Sequence, residues 1–186
     1  MHFHVPLLLA VAAIAQATPV LNNLVKRDGA AVIDAVNTIS DAMVTLNTTV
    51  TSYKGGLLGT VTALKIEFQS IALSNDLRSA IRTTTDSANF TEDESLYVSA
   101  AFLDLQPNIF STLDNIVRKK PQFDNGLLGI GSLAFLVKSN LETQKDLAAQ
   151  LGAAVVDKLT ATFGGIAPIL NAQIADKFAE AIAVFD

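Results

Sequence analysis

The chain has 186 residues, half of them hydrophobic, with 13 basic and 18 acidic side chains and a formal charge of −5. That length supports one domain burying roughly 70% of its unfolded surface, without disulfides because there is no cysteine. The acidity excludes a nucleic-acid partner and charge-driven adsorption to anionic lipid.

Met1 to His4 is a short polar start, followed by an apolar run from Val5 to Ala15 and a small-x-small site, Ala15-Gln16-Ala17. The run is too short to span a bilayer and reads as a secretory signal peptide over 1–17, cut after Ala17. Residues 18–27 then end in the dibasic pair Lys26-Arg27. They read as a propeptide, so the mature chain is expected to begin at or near Asp28.

The organising stretch is Val32 to Phe68. Val32, Val36, Ile39, Met43, Leu46, Val50 and Tyr53 are spaced alternately four and three apart, which keeps one helical stripe apolar. The spacing predicts a helix from Ala30 to Tyr53, about 36 Å long, that must lie against partners. Gly55 and Gly56 end it, and an antiparallel second helix is expected from Thr60 to about Thr85. This helix carries two apolar stripes, Val61, Leu64, Phe68, Ile71 and Ile66, Leu73, Leu77, Ile81. Two stripes predict a helix placed between neighbours. A polar loop follows, with the sequon Asn89-Phe90-Thr91; a second sequon, Asn47-Thr48-Thr49, falls on the first helix. Asn89 is the better expected glycan acceptor, because a loop is more accessible than a helix.

Thr91-Glu92-Asp93-Glu94 reads as a capping box opening the third helix. Its face is Val98, Phe102, Leu105, Ile109, Leu113 and Ile116, with a kink or short break expected at Pro107 and a stop at Pro121. Gly126-Leu127-Leu128-Gly129 repeats Gly56-Leu57-Leu58-Gly59. A fourth helix is expected over Ser132 to Lys158, with Gln144 in the stripe of Leu133, Val137, Leu141, Ala148, Leu151 and Val155. Thr162-Phe163-Gly164-Gly165 breaks the chain before a last helix bearing Ile166, Leu170, Ile174, Phe178, Ile182 and Phe185. The expected fold is all-α: a single-domain antiparallel bundle of about five helices over 28–186.

Catalysis is not expected. His2 and His4 lie in the leader and cysteine is absent, so no Ser-His or Cys-His pair forms and zinc lacks its usual ligands. There is no Gly-x-Ser-x-Gly elbow. Neither cofactor nor metal is expected. The excess of large apolar residues, among them Phe110, points instead to an apolar ligand. The candidate contacts are Leu64, Phe68, Ile71, Phe102, Leu105, Ile109, Phe135, Leu141, Phe178 and Ile182. Each also serves as ordinary core. Gln144 is the candidate donor for a lipid head and Tyr53 a second; alternatively, Gln144 bonds a backbone carbonyl, as at the Pro107 kink.

Three landmarks carry a family resemblance. Tyr53-Lys54-Gly55-Gly56-Leu57-Leu58-Gly59, Lys119-Lys120-Pro121-Gln122-Phe123-Asp124 and the close Phe178-Ala179-Glu180-Ala181-Ile182-Ala183-Val184-Phe185 occur in that order. The chain resembles the fungal hydrophobic surface binding protein A family, also called cell wall galactomannoproteins. The resemblance implies a secreted or wall-associated protein that binds apolar surfaces or long-chain fatty acids, with no catalytic motif. Association with wall polysaccharide is a further implied partnership. The chain closes at Phe185-Asp186 without a long apolar tail, so a glycolipid anchor is not expected. The alternative is a structural wall mannoprotein that displays glycans and has no specific ligand.

Overall fold

The computed structural model describes residues 18–126 and 131–186. The expected signal peptide with its cut after Ala17, the side chains of Lys26 and Arg27, and residues Leu127 to Ile130 lie outside that description.

Among the described residues there are five long helices and two single turns: α1 (Thr18–Ser52), α2 (Gly56–Asp86), α3 (Glu92–Arg118), α4 (Lys120–Asp124), α5 (Ala134–Val156), α6 (Ala161–Gly164) and α7 (Ala167–Val184). The all-α expectation holds. The long helices alternate in direction along the chain, and each packs beside two others in a closed order: α2, α1, α3, α7, α5 and back to α2. Some neighbours in this ring are parallel. Asn108 bonds Ser40 and Asn115 bonds Asn47, both across 68 residues, so α3 rises alongside α1. Glu67 with Asn140 and Ser70 with Gln144 place α2 and α5 side by side in the same direction.

The α1 stripe forms as its spacing requires: Val32, Val36, Ile39, Met43, Leu46, Val50 and Tyr53 are all buried. The helix starts earlier than the expected Ala30. Pro19 falls in its first turn, where a missing N–H costs nothing. The helix α2 likewise starts at Gly56 and not Thr60, since Gly55 (φ 70°) and Gly56 (φ 63°) complete the reversal between them.

Two further expectations are corrected. The helix α2 is not sandwiched: Ile66, Leu73 and Leu77 are buried, whereas Val61, Leu64, Phe68 and Ile71 point outward. A ring gives each helix two flanks and an outer face, and α2 presents its second stripe there. Pro107 causes no break in α3. It lies on the exposed face, where water can serve the carbonyl left without a partner. As expected, α3 stops just before Pro121, at Arg118 with Lys119 as its cap, and Pro121 sits in the first turn of α4, a position that tolerates it. The Thr91 cap is as predicted, with the Glu94 N–H on its hydroxyl at 3.3 Å and its own N–H on the Glu94 carboxylate at 2.9 Å.

The three landmarks converge at one end of the bundle. The Tyr53 ring lies 4.8 Å from that of Phe123, which meets Phe185 edge-on at 6.2 Å. The Lys119 ammonium donates to the Tyr53 carbonyl at 2.7 Å, and the Gly56 N–H to the Asn125 carbonyl at 2.9 Å. A side chain at Gly55 would sit 2.7 Å from the Gln122 carbonyl. Gly59 and Gly126 flank the Tyr53 ring and hydroxyl. This end is plugged by aromatic packing. The other end is tied by its loops: Phe90 N–H donates to the Lys158 carbonyl at 2.8 Å, and Lys158 Nζ to the Ser87 carbonyl at 2.6 Å.

Candidate functional site

Spaces remain where the five helices cannot close on one another. One of about 170 Å³ lies away from the plug between α3, α5, α6 and α7. Its walls include Phe102, Val155, Leu159, Phe163 and Leu170, with Leu96, Leu103 and Ile166 at an exposed rim. Ser99 and Asn171 are its polar lining residues, but no polar atom faces the space, so its surface is wholly apolar. The Ser99 hydroxyl is buried without a partner, which carries an energetic cost until something bonds it.

Two smaller spaces, each about 30 Å³, continue toward the plug. One shares Phe102 and Asn171 with the large cavity and adds Leu77, Ile109, Lys145, Ala148 and Ile174. The other lies beneath the plug, lined by Leu46, Ile66, Phe123, Leu133, Leu141 and a polar group of Glu67, Ser70, Asn140 and Gln144. Apolar voids therefore occur along much of the bundle's length.

The predicted contact residues divide into two sets. Phe102, Leu105, Ile109, Leu141 and Phe178 are buried, and Ile182 is partly so. Of these, Phe102 lines both the large space and its small neighbour, Ile109 lines that neighbour, and Leu141 lines the space under the plug. Leu105, Phe178 and Ile182 pack in the core without lining a cavity named above. Leu64, Phe68, Ile71 and Phe135 lie outside: Phe68 is 70% exposed on α2 and Phe135 69% on the neighbouring α5. With Leu57, Leu58 and Val61 they form an apolar outer surface.

Gln144 is buried, and its amide donates at 3.4 Å to the Ser70 carbonyl across the α2–α5 seam. It bonds backbone, as one sequence reading allowed, but far from Pro107. Tyr53 is fully buried in the plug, its hydroxyl 3.4 Å from the Gln122 carbonyl. Burial pushes its phenol pKa up. Sequence reasoning missed Ser99, Leu103, Lys145, Leu159, Phe163 and Asn171. Leu103 lies off the α3 stripe, and polar residues at a helix seam carry no periodic signal.

Electrostatic ties sit on the outside. Lys177 reaches Asp114 at 2.6 Å, joining α7 to α3, and Lys138 reaches Asp186 at 2.6 Å. Hydrogen bonds to those carboxylates are the main reason both ammonium pKa values are raised. Among the described residues no cluster of His, Cys, Asp and Glu could hold a metal, and no helix is long and apolar enough to cross a membrane.

Fold and cavities together define an all-helical bundle, plugged at one end and carrying apolar space between its helices. The sequence profile of Hydrophobic surface binding protein A matches residues 29–157, and the chain belongs to that family. It is 30% identical over 179 residues to cell wall mannoprotein 1 of Aspergillus flavus, covering 94% of this chain. It spans only 59% of that relative's length. Among solved structures, AfMp4p in complex with palmitic acid is 29% identical, with a TM-score of 0.78 over 85% of this chain and 99% of its own. Ligand binding domain 1 of the Penicillium marneffei MP1 protein, complexed with arachidonic acids, shares the fold at 20% identity. Its TM-score is 0.73, over 82% of this chain and 95% of its own.

Proposed function

We propose that the protein is a secreted, non-catalytic fungal binder of long-chain fatty acids, held between the helices of the bundle. The observation that carries this reading is the cavity of about 170 Å³ among α3, α5, α6 and α7, with its apolar walls and rim. The palmitic acid complex of AfMp4p, whose fold this chain shares at 29% identity, supports the same ligand class. Burying an acyl chain gains about 0.8 kcal/mol per methylene, which offsets the cost of association over a long tail. The resting cavity is smaller than the roughly 300 Å³ at which ligand pockets begin. Binding therefore requires the α6–α7 side to yield or the small neighbouring spaces to join it.

A second reading rests on a separate observation. Leu57, Leu58, Val61, Leu64, Phe68 and Ile71 leave the outer face of α2 apolar, beside Phe135 of α5. A surface of that kind marks an interaction site, and adsorption to apolar surfaces matches the family's description. The wall mannoprotein relative supports an extracellular or wall-associated location, and wall polysaccharide remains a partner within this proposal.

Native mass spectrometry of the purified protein with palmitic acid tests the main reading. Ala167 lines the cavity and is only partly buried, so Ala167→Trp fills the space with little disturbance of the core. The expected result is a palmitate adduct on the wild type that the variant loses at unchanged melting temperature. A wild-type protein that carries no lipid and only glycans makes it a structural mannoprotein.

A further inference from the structure

We infer that Lys145 of α5, with Asn171 of α7, is the anchor for the ligand's carboxylate. The inference rests on the fatty-acid reading above and concerns where the charged end of that ligand lies.

An acyl tail is satisfied by any of the apolar walls, but an ionised carboxylate left without donors in such a space is costly. No polar atom faces the cavity of about 170 Å³, so it offers a carboxylate nothing. The adjoining small space shares Asn171 and Phe102 and adds one cation, Lys145. The space beneath the plug is the wrong end for an anion, because its polar wall includes the carboxylate of Glu67.

Lys145 is set apart from its peers. The half-buried lysines Lys119, Lys120, Lys138, Lys158 and Lys177 each reach a carbonyl or carboxylate. Lys145, equally half-buried, has no hydrogen bond or ion pair among the described residues. It lines the small space together with Ala148, Ala149 and Ile174, a setting in which a lysine stem covers apolar surface while its ammonium stays near water. Asn171 lines both spaces. It packs on Gly152, where any Cβ would lie 2.5 Å from its amide oxygen. The missing side chain at Gly152 thus leaves room for the Asn171 amide, whose two N–H donors can turn toward an anion in the small space. The carboxylate sits at the Lys145–Asn171 side, and the tail runs past Phe102 into the large cavity.

The test compares palmitic acid with 1-hexadecanol, which has the same tail and no charge, by displacement of a neutral fluorescent probe. Lys145→Met keeps the stem and the helix propensity while removing the cation. The expected outcome is palmitate affinity weakened about tenfold, hexadecanol affinity unchanged, and palmitate affinity restored in Lys145→Arg. Added salt should weaken palmitate binding to the wild type more than to Lys145→Met. Equal loss for both ligands, or undiminished palmitate binding in Lys145→Met, overturns the anchor while leaving the fatty-acid reading in place. A wild type that binds neither ligand overturns both.

Discussion

Replacing Phe123 with alanine is the sharpest probe of the plugged end. The ring is 2% exposed and lies against both Tyr53 and Phe185. Truncating a buried phenylalanine costs roughly 3–5 kcal/mol where the site cannot collapse. Collapse is opposed here because Phe123 also anchors the connection: its carbonyl accepts from Leu133 N–H at 2.8 Å and from Gly126 N–H at 3.1 Å. At about 2–4 °C per kcal/mol for a domain of this size, the melting temperature should fall by roughly 6–20 °C. Thermal unfolding followed by far-ultraviolet circular dichroism measures it. A double-mutant cycle of Phe123→Leu with Phe185→Leu should add a coupling of about 0.5–1.5 kcal/mol from the edge-on ring pair. A loss under about 3 °C for Phe123→Ala would refute the plug, since it would mean the rings touch without supporting the fold.

The remaining predictions concern residues singled out by the sequence. Gln144→Leu exchanges one long, neutral hydrogen bond to the Ser70 carbonyl for apolar packing, so stability should change by less than about 1 kcal/mol. Palmitate affinity should hold in the same variant, and a tenfold loss in fluorescent fatty-acid displacement would return the head anchor to Gln144. For glycans, Asn89 is exposed in the α2–α3 loop, while the Asn47 amide nitrogen donates to Ser111 at 2.9 Å and its oxygen accepts from Asn115 at 2.7 Å. Glycopeptide mass spectrometry of the secreted protein should find Asn89 occupied and Asn47 bare; a glycan on Asn47 would mean the α1–α3 seam opens before the chain is modified.

Much of this molecule was legible from residue spacing. The α1 stripe buried every member, because alternate steps of four and three leave a helix no other way to shelter them. The Thr91 box, the glycine turn and the absence of strands among the described residues follow from equally local rules. The two stripes on α2 were visible, but not that one of them would be left outside. Spacing reports that a face is apolar and is silent on whether a neighbour covers it.

The sequence by itself determined the helices, their inward faces and the family, because these depend on contacts within a turn or on the order of short landmarks. Tertiary structure alone decided the ring order, the parallel placement of α1 beside α3 and α2 beside α5, and therefore where space is left over. A cavity is a shortfall of volume summed over several helices that lie far apart in the chain, so no single stretch encodes it. For the same reason Asn171 and Lys145 read as ordinary polar positions until α5 and α7 bring them to one seam. Tyr53, a plausible donor on sequence grounds, is instead held in an aromatic stack that only the meeting of three distant segments creates.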